Sequence, residues 1–484
     1  MKEIHSKYSV NIGLEVHVQL LTSSKLFCSD SADFHTRANE NISPITLGFP
    51  GVLPKINQKA VELAVKFGLA CHSSITPKNV FARKHYFYPD LSKGYQTTQH
   101  LEALCQGGYI QIETQNFQKK IAIHHTHLEE DAGKSLHDLS QTHTYIDYNR
   151  AGNPLIEVVT EPDISSAEEA FLFLTKLHKI VRYLKVSDGN MEQGSLRCDA
   201  NVSIRKKEDS QLGTRVEIKN INSMRYLRSA IEVEIKRMIE LTEQGIPIVQ
   251  ETRGYNSKNN TTYSMRTKED AHDYRYFTDP DLPPFYVEKE WIAEIKNQMP
   301  LSFDDLQTKI QDAYQFSFKE AQQLLDDIEI YELFEKLVSD FPHPKKVFNW
   351  IFGPIKTYLN KEKISVQDYP IKTEITLDIL KQIESGKLNP SLASNEVLTY
   401  FLQNPQCKSV TDCLEKLGLN NQKDTSQIEE IVQKLILTYP DKVKEFKEKK
   451  KVGLLGFFVG LAMKELKGSA DPKIVNELFL KQLQ

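Results

Sequence analysis

The sequence predicts an α+β fold: a mixed sheet with antiparallel strands, then an all-α helical region and a small all-α tail. Three observations predict it. Runs that alternate apolar and polar residues recur up to about residue 290. Capped helical patterns are interleaved with them. Beyond Asp281-Leu282-Pro283-Pro284 the composition shifts and the pattern turns helical. The expected parts are 1–295, 296–407 and 408–484.

The strands come first. In IGLEVHVQLL (Ile12 to Leu21), Leu14, Val16, Val18 and Leu20 share one face and Glu15, His17 and Gln19 the other, the period of a half-buried strand. LRCDANVSIR (Leu196 to Arg205) alternates likewise, with Arg197, Asp199, Asn201, Ser203 and Arg205 on its polar face. Thr214 to Lys219 repeats the pattern with Arg215, Glu217 and Lys219. The polar turn KKEDSQLG between these two runs predicts an antiparallel hairpin. Such faces usually meet water, but these carry both signs of charge at high density.

The helices follow their caps. Ser165 and Ser166 precede Glu168 and Glu169, a doubled capping box that opens a helix to about Leu184. Ser223 opens a second, with Met224, Leu227, Ile231, Ile235 and Met238 at helical spacing and Gly245 as its C-cap. A third box lies at Ser317 to Glu320, and Ser385 to Pro390 breaks the helical half. The tail holds the charged run DKVKEFKEKKK (Asp441 to Lys451) and the apolar run VGLLGFFVGLAM (Val452 to Met463). The apolar run is too short to span a bilayer and reads as a buried helix, so no membrane partner is expected.

Bulk composition excludes more than it assigns. The 484 residues are 40% hydrophobic and 26% charged, with a formal net charge of -4. That is an ordinary globular composition with no global basic field, so nucleic acid would need a local patch or a shape. The six cysteines form no C-x-x-C pair. With no signal peptide read at the N-terminus, they are expected to be reduced, cytoplasmic thiols.

The stretch HLEEDAGKS (His127 to Ser135) ends like a phosphate-binding loop. The G-x-x-x-x-G-K-[ST] pattern requires glycine five residues before Gly133, where this chain has Leu128. It would also put Glu129, Glu130 and Asp131 where phosphate oxygens belong. What remains is a set of hard oxygen donors beside histidines.

Other segments supply the same chemistry: Glu15 with His17, Glu157 in LIEVV, and Glu192 with Asp199 in MEQGSLRCD. Glu157 is the sharpest case. An ionised carboxylate in a buried strand costs several kcal/mol unless a cation or donors compensate it. The pattern alone leaves two compensations open: a divalent metal, or an arginine such as Arg150, Arg197 or Arg205. Carboxylates with an imidazole suit Mg²⁺ or Mn²⁺. In a strand Glu129 and Glu130 point to opposite faces, so either the chain turns there or one of them stands behind the other. The pairs Glu15/His17 and His127/Glu129 share strand parity, which sets His17 and His127 above a structural His124. Tyr86 to Asp90 and Lys93 to Gln96 form an aromatic cluster able to stack a base.

Taken in order, these segments resemble the B subunit family of tRNA-dependent amidotransferases. The matching stretches are GLEVHVQL, LGFPGVLPKIN, RKHYFYPDLSKGYQTTQ, HLEEDAGKS, DYNRAGNPLIEVVTEPD, MEQGSLRCDANVSIR, EIKNINSMRYL and MRTKEDAHDYRYFTDPDLPP, with GLLGFFVGLAMKELKGSADPKIVNELFLKQL at the end. The resemblance covers almost the whole chain. It implies a cradle-shaped α+β kinase domain, a helical domain and a tRNA-contacting tail. The implied reaction phosphorylates the side-chain carboxylate of Glu or Asp esterified to tRNA, after which ammonia displaces phosphate.

By this resemblance Glu15, His17, Glu129, Glu130 and Glu157 bind Mg²⁺ (or Mn²⁺), with Glu192 and Asp199 as outer ligands. Glu130, Glu157 and Lys134 are the expected catalytic groups, Lys134 as a phosphate contact. Lys84, Tyr88 and Lys93 are expected to touch ATP. The chain shows no Gly/Ser-rich amidase stretch able to release ammonia from glutamine. The resemblance therefore implies an amidase A subunit and a small C subunit in a heterotrimer, with mischarged tRNA as substrate. Lys447 to Lys451 are candidate tRNA phosphate contacts.

The chain departs from the family in two places. Many members carry four zinc-ligand cysteines before LGFPG; here only Cys28 remains, and no zinc is expected. His125 stands where arginine is common. Two other classes compete: a non-catalytic tRNA-binding scaffold, which gains nothing from acids that repel phosphate, and a tRNA-independent carboxylate–amine ligase, which has no use for the tail.

Overall fold

The computed structural model describes residues 7–34, 36–267, 274–419, 425–449, 453–466 and 472–483. They divide into two compact units, Met1–Gln311 with Ser317–Lys319, and Asp312–Phe316 with Glu320–Gln484.

The first unit is built on one large mixed sheet. Its main elements, in chain order, are β1 (Tyr8–Gln19), α1 (Gln58–Ala70), β2 (Ala82–His85), β3 (Tyr95–Thr98), β4 (Phe117–Glu130) and β5 (Pro154–Thr160). There follow α2 (Ala167–Tyr183), β6 (Leu196–Lys206), β7 (Val216–Ile221), α3 (Met224–Glu243), β8 (Glu251–Asn256) and β9 (Thr261–Thr267). The strand order is β9-β8-β7-β6-β1-β5-β4-β3-β2, closed by the short strand Phe277–Thr278. Only β7 and β8 pair parallel along this path. The predicted hairpin is present as β6 and β7, paired antiparallel.

Side-chain parity in β1 fixes which face is which. Leu14, Val16 and Val18 are fully buried. Each such side chain contributes about 1.5–3 kcal/mol by leaving water. A slip of one residue would expose all of them and bury Glu15 and His17 instead, so the register is strongly specified. Two helices close over this part of the unit: α3 packs on β6 and on α2, through Leu227, Ala230, Ile231 and Met238.

The doubled cap of α2 forms as the sequence requires. Ser166 accepts a hydrogen bond from Glu169 N at 3.1 Å, while the Glu169 carboxylate takes Ser165 N at 2.9 Å and Ser165 Oγ at 2.8 Å. Ser223 sits at the N-cap of α3 without a side-chain cap bond. Gly245 follows its C-cap at φ +73.

The second unit is helical. Its last four helices, Thr425–Thr438, Pro440–Lys449, Gly453–Glu465 and Pro472–Leu483, share a core that includes Val432, Phe458, Ala462, Val475 and Phe479. The apolar run forms the helix Gly453–Glu465, which buries Leu455, Phe458 and Ala462 but leaves Phe457 40% exposed, so it is half-buried and not interior; no helix among the described residues is long and apolar enough to cross a membrane.

Candidate functional site

Because every second side chain of a strand points the same way, the polar faces of β1, β4, β5, β6 and β7 form one surface. Register sets the neighbours on it. His17 faces Glu157 across β1 and β5, and Glu157 faces His127 across β5 and β4. Glu15 faces Asp199 across β1 and β6, and Asn201 faces Glu217 across β6 and β7.

Two acid groups result, side by side along β1. In the first, ligand atoms of His17, Glu129 and Glu157 lie within 4.8 Å of one another. His17 Nδ1 is 3.0 Å from Glu129 Oε1 and 4.0 Å from Glu157 Oε2. His127 Nε2 is 3.3 Å from Glu157 Oε2 and 3.6 Å from Glu129 Oε2. Burial alone would push both imidazoles down, but hydrogen bonds and charge from Glu129 and Glu157 hold each up at about 9. Burial likewise works against ionised Glu129, yet the two rings keep its carboxyl well below the usual range. His127 Nδ1 is buried without a hydrogen-bond partner.

In the second group, ligand atoms of Glu15, Asp199 and Glu217 also lie within 4.8 Å of one another. Asn201 Nδ2 donates to Glu15 Oε1 at 2.8 Å. Lys219 Nζ lies 3.1 Å from Asp199 Oδ2 and 3.0 Å from Glu217 Oε1. Burial, then the charge of Glu157, raises the Glu15 carboxyl. The two groups therefore feel each other.

The arginine compensation read as an alternative for Glu157 is not what surrounds it. Arg197 pairs with Asp131, and Arg150 Nε lies 3.8 Å from the same carboxylate. Arg205 donates to the Asp209 carbonyl. Among the described residues no arginine lies within ion-pair distance of Glu129 or Glu157; protonated imidazoles supply the compensating charge. Two carboxylates with an imidazole fit a hard divalent cation, and the rings must give up protons to accept one.

Other residues singled out in the sequence fall elsewhere. Glu130, one residue past Glu129, points to the opposite face and is 5% exposed at its side chain. It pairs with Lys93 and accepts Thr97 N at 2.8 Å. Both line a cavity of about 230 Å³ with Arg83, Asp279 and the fully buried Lys25. Burial lowers the Lys25 ammonium to about 8. Glu130 thus stands outside both acid groups. Glu192 is exposed in a turn, also outside them. Lys134 is exposed on Lys134–Leu136, a strand of a separate two-stranded sheet. Tyr88 is 56% exposed. Lys84 faces the first group: burial would lower its ammonium, but Glu129 and Glu157 raise it, and its Nζ sits 4.8 Å from the centre of the Tyr274 ring.

His125 stacks on His127 at 5.2 Å, and burial followed by the neighbouring histidine charges lowers it to about 4. His124 Nδ1 contacts His125 Nδ1 at 2.6 Å. Cys28 Sγ lies 3.5 Å from Thr46 Oγ1. Of Lys447 to Lys451, the side chains lie outside the described residues.

Sequence reasoning missed Glu217, Asn201, Lys219 and Lys25 as site residues. The first three carried a signal, since all lie on the polar faces of the hairpin strands. Lys25 carried none.

Known proteins resemble this chain along almost its whole length. A family model described as the GatB/GatE catalytic domain matches residues 10–293, and one described as the GatB domain matches residues 332–483. The B subunit of the aspartyl/glutamyl-tRNA(Asn/Gln) amidotransferase of Thermodesulfovibrio yellowstonii is 44% identical over 478 residues, covering 99% of this chain and 100% of the relative. Its namesakes from Legionella pneumophila and Coxiella burnetii are 43% and 44% identical over 474 and 476 residues, covering 98% of this chain and 98% and 99% of the relatives.

Proposed function

The chain belongs to the family of the GatB/GatE catalytic domain and the amidotransferase B subunits, and from that premise we propose that it amidates mischarged tRNA at the expense of ATP. The side-chain carboxylate of Glu-tRNA(Gln), Asp-tRNA(Asn) or both is phosphorylated, and ammonia then displaces phosphate to give the amide. An amidase A subunit supplies the ammonia and a small C subunit completes a heterotrimer, in the cytoplasm. Working parts at 1–295, 296–407 and 408–484 belong to the same proposal, with the tail and Lys447 to Lys451 contacting tRNA.

One observation carries the reading: residues from five strands meet on a single polar face as two adjoining acid groups. A pure RNA-binding surface has no use for them, because they repel phosphate. In this reading His17, Glu129 and Glu157 hold one Mg²⁺ or Mn²⁺, and Glu15, Asp199 and Glu217 a second; zinc has no part. When bound, such ions neutralise the charge between a polyphosphate and a substrate carboxylate. The protein's own groups do the rest. His17 would hold the ion through a ring nitrogen, its proton passing to solvent. His127 keeps Glu129 and Glu157 aimed at the same point. Lys84 presents an ammonium toward that point and is the best placed of Lys84, Tyr88 and Lys93 for a nucleotide phosphate, while Lys93 is committed to Glu130. Lys134 serves as a phosphate contact from its exposed strand.

The test is amide formation by the reconstituted complex with Glu-tRNA, ATP, Mg²⁺ and ammonium, which bypasses the ammonia source. Glu157→Ala and Glu129→Ala should each lower it by about a hundredfold or more. Undiminished rates in Glu157→Ala would reject the site. Release of ammonia from glutamine by this chain alone would reveal a nucleophile outside those considered.

A further inference from the structure

The two acid groups balance their charge by different means. In the first, the counter-charges are the rings of His17 and His127, set between Glu129 and Glu157. Such a ring loses a proton to an arriving cation, and the freed nitrogen becomes a donor. In the second, the counter-charge is the Lys219 ammonium, at hydrogen-bonding distance from two of the three acids. An ammonium has no lone pair to offer a metal. It can only move away.

Lys219 is placed there by the regular register of the hairpin, which an irregularity interrupts just beyond it. The pairing of β6 with β7 shifts register between Cys198 and Ala200. Cys198 faces Ile221 and Ala200 faces Ile218, so β7 has one extra residue at this point. Continuing the Asn201–Glu217 and Ala200–Ile218 pairs sets Lys219 beside Asp199, and Glu217, two residues before it, points to the same face. Three carboxylates this close repel one another unless a cation lies among them.

We propose that Lys219 is the resident cation of the Glu15–Asp199–Glu217 group: it holds the place of a divalent ion, and an ion entering there must displace it. The inference rests on the reading of both groups as divalent-cation sites. Lys219 then acts as a positioning residue. It keeps the three acids converged while the group is empty of metal, and it sets the order of loading. A free divalent ion fills the His17–Glu129–Glu157 group first, because there the Lys84 ammonium acts only from beyond ion-pair distance, whereas Lys219 is in contact with two acids of the second group. It enters the second group only against Lys219.

Mn²⁺ binding to the full-length chain without nucleotide, read from loss of the free-ion EPR signal, tests this. The wild-type chain should bind one ion tightly and a second at least about tenfold more weakly. Lys219→Met should tighten the second ion by about tenfold or more and leave the first unchanged. Glu217→Gln added to Lys219→Met should abolish that gain. Lys219→Gln serves in parallel should the methionine variant fail to fold by circular dichroism. An unchanged second affinity in the folded variants, loss of an ion that the wild type binds, or two equally tight ions in the wild type would each overturn the proposal while leaving the first group standing. No Mn²⁺ bound at all would overturn the site reading and this inference together.

Discussion

Glu129 and Glu130 are consecutive, yet they serve opposite faces of the sheet. Glu129 is locked between two histidines and Glu130 between Lys93 and a backbone amide. Glu130→Ala should therefore cost about 2 kcal/mol, because it leaves the half-buried Lys93 ammonium and the Thr97 amide without their acceptor, and should leave Mn²⁺ binding at His17 intact. Urea unfolding and Mn²⁺ titration of the same variant check both halves. The histidines give a pH signature. In the metal-free chain, His17 and His127 are raised to about 9 from 6.5. Their contribution to stability is complete below 6.5 and is lost as pH rises through 9. Glu129, depressed from 4.5, adds stability above 4.5 that disappears as pH falls through its own lower value. Stability in EDTA should drop between pH 6 and pH 9.5, by about 3 kcal/mol for either ring taken alone. Saturating Mn²⁺ should remove much of that drop, since the ligand is the neutral ring. Parity made His17, Glu15 and the opposed pair Glu129 and Glu130 legible from sequence. Which acid would keep the histidines and which would take Lys93 was not, because that depends on what lies across the strand.

At the scale of the element, local signals were the readable ones. The doubled serine before α2 and the alternation of β1 each act within a few residues, and both elements follow them. Ser166→Ala should cost about 1 kcal/mol in thermal unfolding without altering Mn²⁺ binding, since the cap lies off the polar face. Leu14→Ala should cost about 3 kcal/mol, and by loosening β1 it should weaken both cation groups together; a loss confined to one would contradict their common support on that strand. The bulge just beyond Lys219 was not readable, although the alternation of the run already put Lys219 on the polar face with Glu217. A register shift is decided by pairing between strands, not by the composition of either.

For the whole molecule, the family and the order of parts were legible because the matching stretches run the length of the chain. The tail helices bury Val432, Phe458 and Phe479 among themselves. Removing residues from 408 onward should therefore spare Mn²⁺ binding by the first unit and weaken binding of tRNA, measured by filter retention at fixed salt. Strand order was the hidden part. β1, near the start of the chain, lies between β5 and β6. During synthesis it emerges with both edges open and waits for Pro154–Thr160 and Leu196–Lys206 before either is covered. Pairing across such separations is slow and leaves an adhesive ribbon available to neighbours. The chain's vulnerable moment is thus on the ribosome, and a holdase bound to that first ribbon would protect the unborn site more than any later repair.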